Sequence, residues 1–354
     1  MDAFRGLMAL VMVQGHTFDS LLTLEARAEA LYRLQVILHG STAPGFLFAS
    51  GFVVGLPRAP LAFRASLRRA RRILFVLVVG YAIHLPYFSF WKTLQASPAE
   101  KAALFACDAL QVIAVSQLLV LVLQWVFGTR WTWIAGSLAL VVLTSGPWIW
   151  AAHLAARMEP FLAAYLDNTS GSHFPFFPFA AFVLAGTVAG SALGRQDEAV
   201  RRRRGLIFGA GLVLAGIALS VPLEGVVDFW TVSPAYALIR LGGLLLLLLA
   251  VEWTARRGFA LVRPLALLGH ETLLVFVFHL YLLVGGAMGP GPLTGWGGRL
   301  GFGSTSVALV AMLPVLLAVA WAWHQAKVRR PHEASLALTF FSVAFAYEFF
   351  ARPW

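Results

Sequence analysis

The chain has 354 residues, of which 60% are apolar and 12% charged, with a formal net charge of +11 and one cysteine. That composition excludes an ordinary soluble domain and points to a polytopic membrane protein. A single cysteine excludes an internal disulfide. The arginines lie between apolar runs, so the positive charge orients the chain in a bilayer and does not indicate a nucleic-acid partner.

Eleven apolar stretches have the length of a membrane-spanning helix: 4–22, 36–57, 73–91, 107–127, 131–150, 174–194, 205–223, 234–253, 264–286, 303–324 and 334–352. The expected class is all-α, a polytopic helical protein of about eleven transmembrane helices. Its connections are short, so residues 1–354 form one integral-membrane domain. Alternate connections carry unequal numbers of Lys and Arg. Nineteen fall on the side of Arg5, the 58–72 and 195–204 clusters and Lys327 to Arg330, and seven fall on the other. The positive-inside rule then makes the amino terminus cytoplasmic, with the bacterial inner membrane as the expected location. No cleavable signal precedes the first stretch. That stretch begins almost at Met1, so a short cytoplasmic leader missing from this sequence is expected.

The first stretch contains Arg5 and His16. Ionisable residues inside such a helix are costly and call for a reason. Eleven residues are about three turns, so both fall on one face, about 16 Å apart along the axis. A cation toward one leaflet and an imidazole toward the other suit an elongated anionic ligand presented to a general base. Arg5 serves equally as an anchor snorkelling to lipid phosphates, and His16 as an interhelical hydrogen-bonding group. Asp19, three residues after His16, is near enough on the helix to hold the imidazole tautomer. It is equally the first polar residue leaving the membrane.

In the second stretch, His39 and Ser41 precede Pro44, and small residues follow at Gly45, Ser50, Gly51 and Gly55. Pro44 is expected to break or kink the helix. Irregular backbone at that depth is tolerated only where it is buried or lines a cavity. A close helix crossing through the glycines is a compatible reading. Further along, Cys107 reads as a packing residue. His84, among Pro86, Tyr87, Phe88 and Trp91, reads as a sugar-stacking platform or an interfacial aromatic belt. Arg240 lies within a span, with Glu271 or Asp19 as its expected partner, or a phosphate or anionic acceptor as its ligand. The run Leu244 to Leu249 suggests a lipid-facing surface. His279 is a site residue or a structural one. No metal-ligand spacing, phosphate loop or hydrolase elbow is present.

Four segments in order carry a resemblance: Asp2-Ala-Phe-Arg-Gly leading to Gly15-His16, His39 ahead of Pro44-Gly-Phe-Leu-Phe-Ala-Ser-Gly51, His173-Phe-Pro-Phe-Phe-Pro178 with Gly186 and Gly190, and Leu268-Gly-His-Glu-Thr-Leu-Leu-Val-Phe-Val-Phe-His279. The chain resembles the integral-membrane acyltransferase superfamily, most closely the heparan-alpha-glucosaminide N-acetyltransferase catalytic-domain family. Acyltransferase family 3 shares the spacing from Arg5 to His16. The resemblance implies transfer of an acyl group, most simply acetyl, from cytoplasmic acyl-CoA to a glycan hydroxyl or amine outside. It implies His16 and His39 as catalytic residues and Arg5 as a donor-phosphate contact; the residue reading adds Asp19 to the catalytic set and Arg240 to the donor contacts. Ser41, His84 and His279 are the expected acceptor contacts. Acyl-CoA is the only cofactor-like partner expected; no metal is. The rival from another class is a transporter or lipid flippase of the same topology, for which a second copy of the Arg5–His16 pattern is lacking.

Overall fold

A computed structural model describes residues 1–56, 63–286 and 289–352. The chain is all-α, with no strand among the described residues. The principal helices are α1 (Asp2–Leu21), α2 (Ala30–His39), α3 (Thr42–Gly55), α4 (Phe63–Ile83), α5 (Ala109–Phe127), α6 (Trp131–Ala151), α7 (Phe176–Leu193), α8 (Glu198–Ser220), α9 (Pro234–Arg256), α10 (Val262–His270), α11 (Thr272–Val284), α12 (Phe302–Arg329) and α13 (Pro331–Ala351). Among the described residues, seven helical segments are long and apolar enough to cross a membrane, or eight if a bent pair counts as one span. Each of the eleven apolar stretches overlaps helix. The third differs most: α4 starts at Phe63, so the arginines from Arg64 to Arg72 form its first turns. Arg58, part of the same basic cluster, lies outside the described residues.

Two compact units are built from the chain. The first comprises Met1–Thr42, Leu85–Ser97 and Thr254–Trp354. In it α1 lies directly on α10. A Cβ on Gly6 would stand 1.7 Å from the Leu265 carbonyl oxygen, and one on Gly269 would stand 1.8 Å from that of Asp2. Each helix thus supplies one glycine that lets the two backbones touch. The far end of α1 is pinned by a loop: the Leu300 amide donates to the Leu21 carbonyl at 2.8 Å, and the Thr23 amide to the Leu300 carbonyl at 3.0 Å.

The apolar stretch 264–286 is not one helix. α10 and α11 meet at 86°. The freed carbonyls of Leu268 and Gly269 accept from the Thr272 hydroxyl, at 3.3 and 2.6 Å, which meets the demand that buried backbone groups be paired. Glu271 occupies the bend and is 4% exposed.

The second unit comprises Ala43–His84 and Pro98–Trp253. There α3 crosses α7 through two glycines from each helix. Gly51 and Gly55 face the Val183 and Thr187 carbonyls, while Gly186 and Gly190 face those of Phe48 and Phe52. The close crossing expected from Gly51 and Gly55 is present. The leucine run corrects its expectation: Leu244, Leu245, Leu248 and Leu249 are buried. Helix α9 packs against the glycine face of α8, with the Leu249 and Leu246 side chains over Gly205 and Gly209. An all-apolar run does not distinguish lipid from protein as its neighbour, because both are equally apolar.

Candidate functional site

The site forms in the first unit, where α1, the end of α2 and α11 converge. His16 and His279 approach most closely, with Nδ1 of His16 2.7 Å from Nε2 of His279. Their rings are nearly parallel, with centroids 5.0 Å apart. Nδ1 of His279 lies 2.9 Å from the Val275 carbonyl oxygen one turn back. His279 is 0% exposed, whereas His16 is only partly buried. The His39 ring stands edge-on to His16, with centroids 5.2 Å apart.

Gly15 makes the approach of His39 possible. A Cβ there would lie 1.8 Å from Nδ1 of His39, so the imidazole rests on the bare α1 backbone. Nδ1 of His39 is buried without a hydrogen-bond partner. Its Nε2 faces Asp19 Oδ2 at 3.6 Å. Asp19 therefore faces His39. The cause is the set of α2 donors on its other oxygen: Tyr32 Oη at 3.0 Å and Gln35 Nε2 at 3.2 Å draw the carboxylate toward α2.

The break after His39 falls at Gly40–Ser41, ahead of Pro44. Pro44 sits in the first turn of α3, where a missing N–H costs nothing. The Thr42 hydroxyl donates to the His39 carbonyl at 2.7 Å. Ser41, in the break, is half-buried.

Arg5 is on the same face of the continuous helix α1, at its other end. Between it and His16 that face carries Ala9 and Met12, both buried. The face is polar at both ends and apolar between them. Around Arg5 is a charged cluster. Nη1 of Arg5 lies 3.7 Å from Asp2 Oδ1, and Nε2 of His270 lies 3.4 Å from Asp2 Oδ2. Glu271 holds Nδ1 of His324 at 3.0 Å and Nζ of Lys327 at 2.7 Å.

The remaining expected residues belong to the second unit. The expected carboxylate partner of Arg240 is replaced by Tyr236 on its own helix. The guanidinium donates to the Tyr236 hydroxyl at 3.0 Å and lies 3.8 Å from the ring centroid. One turn of helix makes that pair geometrically ready. His84 joins a cluster that its sequence context did not reveal: Asp108 Oδ2 lies 3.0 Å from Nε2 of His84, and Oδ1 lies 3.1 Å from Nδ1 of His173. The hydrogen bond to Asp108 raises the pKa of His173, with burial opposing. The only sequence signal for Asp108 is its place as a helix N-cap. Among the described residues no group of three His, Cys, Asp or Glu side chains is arranged to hold a metal.

The family profile described as an acyltransferase domain, that of acyltransferase family 3, matches residues 1–325. The chain belongs to this family of membrane acyltransferases. No curated protein matches it. The match contains the three histidines, Arg5, Asp19 and Glu271, and ends before Lys327 and α13.

Proposed function

We propose that this family 3 acyltransferase moves an acyl group, most simply acetyl, from cytoplasmic acyl-CoA to a hydroxyl or amine of a glycan on the outer side of a bacterial inner membrane. In this reading the chain is one catalytic domain with eleven spans and its amino terminus inside, akin to the heparan-alpha-glucosaminide N-acetyltransferases. Arg5 meets the donor phosphates at the basic inner end. His16 or His39 takes the acceptor proton as the acceptor attacks the thioester carbonyl, or carries the acyl group as a covalent relay. Ser41, at the break beside His39, is an acceptor contact. Arg240 and His84 are assigned no chemical step; their neighbours are Tyr236 and Asp108.

The observation that carries this reading is the meeting of three imidazoles at one end of α1, while a cation on the same face stands at the other. A neutral imidazole is the natural base at physiological pH. The flippase reading has no comparable use for a hydrogen-bonded pair of histidines.

The test is incubation of purified protein with labelled acyl-CoA and a panel of glycans, scoring thioester consumption, labelled product and label on the protein. Transfer by the wild type and its loss in a folded His16→Ala variant are expected. Arg5→Ala should weaken donor binding with acceptor affinity unchanged. Full activity of His16→Ala removes that histidine from the mechanism, and unaltered donor binding removes Arg5.

A further inference from the structure

We propose that His279 is the positioning residue that selects the working tautomer of His16, and thereby decides which histidine is the base. The inference rests on the acyl-transfer reading above and goes one step further, from "a histidine" to one nitrogen atom.

Nδ1 of His279 faces the Val275 carbonyl at 2.9 Å. A carbonyl only accepts, so this nitrogen carries the N–H. In a neutral ring Nε2 then has the lone pair. That lone pair lies 2.7 Å from Nδ1 of His16, so Nδ1 of His16 must be the donor. The lone pair of neutral His16 is consequently on Nε2, its basic nitrogen. Complete burial of His279 removes water as an alternative partner for either nitrogen. Both of its nitrogens are engaged within the protein, so it is not the acceptor contact expected from sequence.

His39 is arranged differently. Nε2 faces the Asp19 carboxylate at 3.6 Å, beyond hydrogen-bond range. Its Nδ1 is buried over the bare backbone at Gly15, where an incoming acceptor does not reach it. In this reading His16, its proton held on Nδ1 by His279, is the base, and His39 lines its site. In the reaction, the acceptor O–H or N–H gives its proton to Nε2 of His16 while the acceptor heteroatom bonds to the thioester carbon. The C–S bond then breaks, and the leaving thiolate takes that proton to become the thiol. During the charged interval the His16 imidazolium is stabilised by its Nδ1–H donating to His279, as a carboxylate or carbonyl orients a histidine elsewhere.

The experiment uses full-length protein labelled with ¹⁵N-histidine in micelles, with the His16 signals identified by their loss in His16→Ala. Wild type is expected to carry the His16 proton on Nδ1. His279→Leu removes the acceptor: the His16 proton should shift to Nε2, and the transfer rate should fall by about 10²-fold with donor affinity unchanged. His279→Gln keeps an acceptor oxygen where Nε2 was, and should retain both the Nδ1 proton and a rate within about tenfold of wild type. A wild-type His16 protonated on Nε2 overturns the proposal. So does a Gln variant as slow as Leu with the tautomer unmoved. Should His279→Leu fail to fold, the wild-type and Gln tautomers still decide. Absence of transfer by the wild type would refute the acyl-transfer reading and leave the tautomer measurement standing by itself, so the two failures are distinct.

Discussion

Substituting Gly15 by Ala separates site geometry from stability. An ideal Cβ on residue 15 would fall 1.8 Å from Nδ1, 2.2 Å from Cγ and 2.4 Å from Cε1 of His39. Ordinary contact needs about 3.5 Å, so the imidazole must withdraw by roughly 1.5 Å. It cannot do so in place, because Asp19 and His16 flank it. Overpacking of this kind costs about 1–3 kcal/mol, and the better helix propensity of Ala returns about 1 kcal/mol. The net loss of stability should be no more than about 2 kcal/mol. The effect on rate should be far larger, since a misplacement of about 1 Å costs on the order of 10²-fold. Gly6→Ala is the control on the same helix. Its Cβ would meet the Leu265 carbonyl at 1.7 Å, which is backbone and cannot rotate aside. Gly6→Ala should therefore unfold at lower temperature than Gly15→Ala, measured as apparent Tm in micelles. A folded Gly15→Ala enzyme with the wild-type transfer rate would refute the claim that His39 must rest on the α1 backbone.

Three further outcomes are expected. Lys327→Met removes one of the two ion-pair partners of the buried Glu271 and should destabilise by about 1–3 kcal/mol, below the figure for a fully buried pair because Lys327 is 43% exposed. The double variant with Glu271→Gln should recover most of that loss in thermal unfolding, and a simple sum of the two single effects would discredit the coupling. His173 has a raised pKa from its bond to Asp108. Its stabilisation is fully present below about pH 6.5 and disappears as pH rises through the raised value. The wild-type Tm should thus fall between pH 6 and 8.5 relative to Asp108→Asn, with His84→Gln as control for the second imidazole on that carboxylate; parallel pH curves would exclude the linkage. Tyr236→Phe strips the half-buried Arg240 of its hydroxyl acceptor and should cost about 1–2 kcal/mol. Combined with Arg240→Met it should cost much less, and an equal cost in both backgrounds would rule the pair out.

The helical class was legible because an apolar run of about twenty residues has few alternatives in a bilayer. The alignment of Arg5 with His16 was legible too, since helix periodicity fixes which positions share a face. A break near His39 was foreseeable from the small residues around it. Its cause was not, because Pro44 disrupts a helix interior but begins one readily. What sequence does not carry is the partner of each polar group. Asp19 is three residues from His16, yet its carboxylate follows Tyr32 and Gln35 to His39. His16 and His279 are 263 residues apart and meet only because α10 turns through 86° into α11. Local spacing predicts faces; tertiary packing assigns neighbours.

That bend ties the two ends of α1 together. Glu271 lies at the turn, anchored by His324 and Lys327 from α12, and close enough to Arg5 to act on its charge. His279 follows eight residues later on α11, about 12 Å along its axis. Residue 271, from which α11 starts, is thus held to α12 through its side chain, and the position of His279 follows from that of α11. A change at the Arg5 end need not touch the histidines to affect them: rotation of α11 by a few degrees at Glu271 shifts the Nε2 lone pair of His279 away from the His16 proton. On this argument Lys327→Met should slow transfer even at saturating donor. A loss confined to donor affinity would mean instead that the two ends of α1 act independently.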